Sequence, residues 1–194
     1  MNEARIEVMG DLNPDLSYQV RWRANGDQTP RDGDNTPPSL DFAMVSYRFG
    51  PSKKFKLNAG KQILFQGSWE LEKNPTLEYQ YSDYINYQQN IFTMAMKLDY
   101  SINDNNALYL QMYNTFDETF DERHSDFDYD KNGFNSADWP LGLLFAWRGK
   151  LFDDRLRTNW SYTISQFADG ETNHSIGIGN KLILPKFEGR SEER

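Results

Sequence analysis

The sequence predicts an all-β protein: an antiparallel transmembrane β-barrel, present in part as about eight to nine strands. Three observations carry that prediction. Segment after segment alternates apolar and polar side chains at period two, the pattern of a half-buried strand. The alternating runs are close to the roughly 9–11 residues that a tilted strand needs to cross a bilayer. Their connections alternate between short polar turns and long segments, as in barrels with short periplasmic turns and long extracellular loops.

Taken in order, Ala4–Gly10 and Leu16–Ala24 flank the turn Asp11-Leu12-Asn13-Pro14. In the second strand Leu16, Tyr18, Val20 and Trp22 share one face, and Ser17, Gln19, Arg21 and Arg23 share the other. Leu40–Phe49 and Phe55–Phe65 follow, joined at Gly50-Pro51-Ser52-Lys53, where Gly and Pro punctuate the pattern. Asn90–Ile102 and Ala107–Phe116 form the clearest hairpin, around Asn103-Asp104-Asn105-Asn106. There Phe92, Met94, Met96, Leu98 and Tyr100 face one way, toward lipid, and Thr93, Ala95, Lys97 and Asp99 the other. Leu141–Leu151 and Leu156–Phe167 meet at Asp153-Asp154, and His174–Leu184 closes the series. The long connections are about 25–39, 66–89 and 117–140, with a shorter one at Ala168–Asn173. The whole of 1–194 reads as a single barrel segment.

Composition agrees once the strand pattern is known. Mean hydropathy is −0.82 and 26% of residues are charged, which looks soluble at first sight. Barrel strands show lipid only at every second residue, so their sequences stay polar on average. No run of about 18 apolar residues exists, which excludes a transmembrane helix. Aromatic residues make up 15% of the chain, as expected where aromatic girdles mark both membrane interfaces. The absence of cysteine excludes disulfides and thiolate sites, and a net charge of −8 argues against a nucleic-acid partner. Neither an export signal at the start nor a closing strand at the end is legible, so the chain is expected to be a fragment of a larger barrel. The alternative is a soluble β-sandwich, a β-sheet binding protein. Its strands are usually five or six residues long and its connections do not sort by side.

A charge aimed at lipid near the midplane costs about 2–4 kcal/mol for Arg or Lys. The polar faces therefore point inward, toward a water-filled lumen. Arg21, Arg23, Lys56, Lys97, Arg155, Arg157 and Lys181 then line the pore, with few acids such as Asp99 beside them. Lys61 breaks the parity set by Phe55, Leu57 and Ala59; a bulge at Gly60 is expected to reset the register and make Lys61 lumenal. A basic lumen selects anions, unless those bases pair with acids on other strands. The acids concentrate instead in 117–138, at Asp117, Glu118, Asp121, Glu122, Asp126, Asp128, Asp130 and Asp138.

The block Phe55-Lys56-Leu57-Asn58-Ala59-Gly60-Lys61-Gln62, followed by Gly67-Ser68-Trp69-Glu70 and Asn74-Pro75, resembles outer-membrane porins of the phosphate-selective O/P type, closest to Bacteroidetes members. Glu78-Tyr79-Gln80-Tyr81-Ser82-Asp83-Tyr84 is similar to a loop segment of that family. The likeness is clearest over about Leu16–Asn114. It implies an outer-membrane barrel of about 16–18 strands, homotrimeric, that passes small hydrophilic and phosphate-like solutes passively. The family's ladder of lumenal Arg and Lys cannot be matched here residue by residue. The Tyr-rich 66–89 segment is expected to be an ordinary extracellular loop; an inward constriction is the alternative.

One stretch carries a metal-like spacing. With Asp128 first, Asp130 third, Asn132 fifth and Gly133 sixth, the loop follows an EF-hand and offers hard oxygens to calcium. Trp139 stands where a bidentate Glu belongs, so the competing reading is a solvated acidic loop. No other cofactor is expected. His124 and His174 have no readable Ser or carboxylate constellation, so no enzyme is expected. Gly177 and Gly179 alternate within a strand and mean close packing or curvature. The competing functional class is a non-conducting barrel that serves as a surface anchor or adhesin.

Overall fold

The computed structural model describes residues 5–23, 40–67, 69, 91–115, 137 and 140–184. These form nine antiparallel strands in one sheet, with every strand beside its sequence neighbour. The strands are β1 (Arg5–Asn13), β2 (Leu16–Arg23), β3 (Leu40–Phe49), β4 (Phe55–Ile63), β5 (Phe92–Asn103), β6 (Asn106–Asn114), β7 (Leu141–Leu151), β8 (Leu156–Ala168) and β9 (Glu171–Leu182). No described helix is long and apolar enough to cross a membrane. Among the described residues β1 and β9 do not pair, so the sheet is an open meander.

Period-two alternation sorts the two faces. Val45, Met96, Met112 and Leu143 occupy one cross-strand row of the outer face, and Tyr47, Leu98, Leu110, Phe145, Tyr162 and Ile176 the next. Most of these side chains are exposed, which is what a lipid-facing wall requires. Toward the short turns comes a row of rings: Phe49 opposite Phe55, Phe55 opposite Tyr100, and Trp147 opposite Trp160. Phe55 and Tyr100 stack at 4.7 Å, and Trp147 meets Trp160 edge-on at 5.3 Å. Each indole N–H donates to an asparagine, Trp147 to Asn106 and Trp160 to Asn180. Rings with an apolar body and a polar tip in one level row form an interfacial girdle.

The short turns are tight. Asn13 Oδ1 accepts from the backbone N–H groups of Asp15 and Leu16, and Asn103 Oδ1 does the same for Asn105. These are Asx turns, the reason Asn recurs at these corners. Three expectations are corrected. The β8–β9 connection is a two-residue turn, Asp169-Gly170, with Gly170 at φ +71°, and not a loop over Ala168–Asn173. Pairing runs unshifted through Gly60 on both sides, so no bulge stands there. Gly60 instead has φ +120°, and a Cβ on it would lie 2.2 Å from the Ala43 carbonyl oxygen. Lys61, next in line, is 1% exposed although its pair partner Met94 is 47% exposed. Lys61 is therefore buried with the pairing register unbroken, in step with Met94. Phe92, expected against lipid, is buried and packs edge-on against Phe42 at 5.3 Å.

Candidate functional site

The inner face carries the polar half of each strand and is crossed by a short length of chain. Beyond β4, Gln111 on β6 clamps the backbone at both faces of its amide. Its Nε2 donates to the Ile63 carbonyl at 3.0 Å, and its Oε1 accepts from Phe65 N–H at 2.8 Å. Leu64 then drops into a small apolar cluster with Ala95, Tyr113, Leu144 and Ala146, and Phe65 covers Tyr109 at 4.2 Å. Farther on, Asn159 on β8 donates to the Gln66 carbonyl at 3.2 Å and Gly67 N–H donates to Ser161 Oγ at 2.7 Å. The segment from Leu64 to Gly67 thus runs from β4 across β6 and β7 to the β8–β9 wall. The start of the 66–89 stretch lies inward, where an extracellular loop was expected. The middle of the wall is packed beneath it rather than open to water.

The predicted basic residues fall into distinct settings. Arg21 and Arg23 converge on Asp41, Nε to carboxylate at 2.9 and 2.6 Å, and Arg5 lies 3.6 Å away. Asp41 is fully buried and is the extra residue of a bulge: Arg21 pairs with Phe42 and Trp22 with Leu40. A bulge re-aims a side chain out of the strict alternation, here toward the two arginines of β2. The Arg21 guanidinium stacks 4.0 Å over the Phe42 ring. Lys97 stands 3.5 Å from Asp99 and 4.7 Å over Phe65. Asp99 also accepts from Asn58 Nδ2 at 3.1 Å, and Ser46 Oγ donates to Asn58 Oδ1 at 2.7 Å. Lys56 sits directly across from Asp99 on the inner face, and Lys61 is buried. Lys181 Nζ lies 5.7 Å over Trp69.

Arg157 and Arg155 part company. Arg157 points inward in register with Lys150 and Lys181, and grips Asp154 through Nε at 2.8 Å and Nη2 at 2.5 Å. That hydrogen bond holds the Asp154 carboxyl below its ordinary pKa, with the guanidinium charge adding to the effect. Arg155, expected on the pore face, belongs to the turn and is exposed, its N–H donating to the Phe152 carbonyl. Phe152, Asp153 and Asp154 take left-handed φ values, and this wider turn absorbs Arg155 before the strand begins. Asp128, Asp130 and Asn132, the calcium reading, lie outside the described residues, as do most of 117–140 and 25–39.

Several side chains of the candidate site escaped the sequence reading. Arg148 stacks 4.1 Å over Phe65 and 5.7 Å from Trp69. Its place in Leu141–Leu151, in step with Gly142, Leu144 and Ala146, is the signal that would have found it. With Lys53, Lys54, Lys150, Arg157, Trp69 and Tyr109 it lines a cavity of about 610 Å³ at the short-turn end, where Asp104 is the acid on the wall. Asp41 and Phe65 left no such signal, because a bulge and a tertiary crossing place them. Within β3–β8 the acids are Asp41 and Asp99, against Arg48, Lys56, Lys61, Lys97, Arg148, Lys150 and Arg157.

The model of one family, phosphate-selective porin O and P, matches residues 1–190 of this chain. The chain belongs to that family. Membership agrees with the nine-stranded antiparallel sheet, the lipid-ready outer face and the aromatic row, and it makes the protein a porin of the outer membrane. This is a family of transport channels, not of enzymes. No curated protein matches the chain.

Proposed function

We propose that this porin is a passive diffusion channel for small hydrophilic solutes that favours anions, phosphate-like ones among them. The carrying observation is the inner wall across β3–β8, where basic side chains outnumber acids and collect around the cavity at the short-turn end. Rings of Arg and Lys lower the barrier for anions and raise it for cations. Arg21, Arg23, Lys56, Lys97 and Arg157 are the pore-lining set, joined by Arg148 and Lys150, while Lys61 is buried. The crossing segment narrows the lumen and presents Phe65 and Trp69 beside those cations. Asp41 and Asp99 hold part of the set in place, so the wall is basic without being uniformly repelled.

Planar-bilayer recording of the porin isolated from outer membranes tests the reading. A steady single-channel current is expected, and in a salt gradient the reversal potential is expected to take the sign of anion preference. A folded, inserted barrel that passes no ions sinks the channel reading in favour of a surface anchor. A cation-selective reversal potential sinks the anion preference alone. We propose further that the working unit is a homotrimer, as the resemblance to the family implies. The mass of the folded species in mild detergent decides it, and a monomer mass refutes it.

A further inference from the structure

We infer that Gly177 and Gly179 are positioning residues for permeation: with Gly67 they form a notch that sets how far the crossing segment stands off the inner wall. The inference rests on the channel reading and adds the residues that fix the channel's width. Gly67 lies flat on the β8–β9 wall. A Cβ on it would lie 2.6 Å from the Gly177 carbonyl oxygen, 2.7 Å from Ser161 N and 2.8 Å from the Asn159 carbonyl oxygen. All three are backbone atoms of the sheet, which cannot yield without breaking ladder hydrogen bonds. From the other side, a Cβ on Gly177 would lie 3.1 Å from Gly67 Cα, and one on Gly179 would lie 3.0 Å from the Gly67 carbonyl oxygen and 3.2 Å from Trp69 Cδ1.

Neither strand glycine has the positive φ that would call for glycine on conformational grounds. Space is the remaining reason. The outer face of the same strand carries Ile176 and Ile178, so the small residues are confined to the side on which the segment lies. Glycine inside a strand weakens it and marks a bulge, a bend or a close backbone approach, and the register runs unshifted through Gly177 and Gly179. Here a backbone does approach, and Ser161 and Asn159 hydrogen-bond to it on arrival. A side chain at position 177 would wedge the segment away from the wall, toward the pore axis.

The test uses the porin purified from outer membranes, with Gly177→Val and Gly177→Ala beside wild type. Folding is checked by heat-modifiable migration, and the readouts are single-channel conductance and the largest neutral sugar admitted in liposome swelling. Both are expected to fall in Gly177→Val and to fall less in Gly177→Ala, with the barrels folded. Conductance and sugar cut-off equal to or above wild type in a folded variant overturn the inference. A second measurement stands if the valine variant does not fold. The chain has no cysteine, so a Gln66→Cys/Ser175→Cys pair reports the contact alone; Gln66 Nε2 lies 3.5 Å from Ser175 Oγ. A short bifunctional thiol reagent is expected to bridge that pair, and to do so less when Gly177→Ala is added. No bridging, or bridging unaffected by the added methyl, overturns the notch. If wild type passes no current while the pair is still bridged, the channel reading has failed and the notch has not.

Discussion

At the scale of single residues, the buried carboxylate of Asp41 is the most consequential side chain on the inner wall. It accepts from Arg21 and Arg23 at hydrogen-bonding distance and has Arg5 just beyond. A buried ion pair contributes modestly as a pair, because both partners lose hydration, but removing one partner strands the other. Asp41→Ala is therefore expected to lower unfolding free energy by about 3–5 kcal/mol, measured by urea titration of the barrel refolded in vesicles. A loss well under that range would mean that other groups satisfy the arginines. The same substitution removes a negative charge from the wall, and the reversal potential is expected to move toward stronger anion preference. Asn at this position keeps the shape and separates the charge effect from packing.

At the scale of elements, the β7–β8 hairpin shows how a turn is held by charge. Arg157 is the first inward residue of β8, and it reaches back three positions to Asp154, which sits at φ 64°. The hydrogen bond from Arg157, and then its charge, place the folded-state pKa of Asp154 below the ordinary 3.8. A carboxyl that binds its proton less readily when folded stabilises the fold fully above that ordinary value. The stabilisation fades as pH falls through the lower folded-state value. Both partners are well exposed, so the contribution is small and salt-sensitive. In Asp154→Asn the decline of stability on acidification below pH 3.8 is expected to be shallower than in wild type, as read from denaturant titrations at stepped pH. Identical pH profiles would show that the ion pair does not outlast solvation.

At the scale of the molecule, the two faces of the sheet differ in chemistry, as an assignment of one to lipid and the other to a lumen requires. The outer rows are exposed and apolar, and the inner rows hold nearly all the described strand cations. Met96, 49% exposed, stands in a middle row between Ala59 and Met112. Met96→Arg is expected to cost about 2–4 kcal/mol in folding from urea into lipid vesicles. Ser175→Arg, on the inner face of β9, is expected to cost far less and to change conductance instead. Equal costs at the two positions would contradict the assignment of lipid and lumen. The order of the nine strands follows from the same logic: each hairpin is closed by a short turn or reached by a longer connection, and all neighbours are sequential.

Local alternation and turn chemistry determined most of this without coordinates. The strands Leu40–Phe49 and Leu141–Leu151 are found where the pattern puts them, and the others differ from it only at their ends. Inward Arg21, Arg23, Lys97 and Arg157 were legible because a strand's side chains alternate whatever lies above them. What parity could not supply was any departure from it. Asp41 is aimed by a bulge, Lys61 is buried beside the positive-φ Gly60, Phe92 packs against Phe42, and Arg155 is lost to a turn of left-handed residues. The inward course of Leu64–Gly67, which the sequence offered only as the alternative to an outer loop, could not be chosen from parity for a deeper reason. Its hydrogen-bond partners, Gln111, Asn159 and Ser161, are distant in sequence and come together only when the sheet brings β6 and β8 beneath the chain leaving β4. Alternation alone thus sorted each strand's side chains into an apolar and a polar face, a period-two property of every strand. Where the inner wall is filled emerged with the fold, since it depends on β6 and β8 meeting the chain that leaves β4.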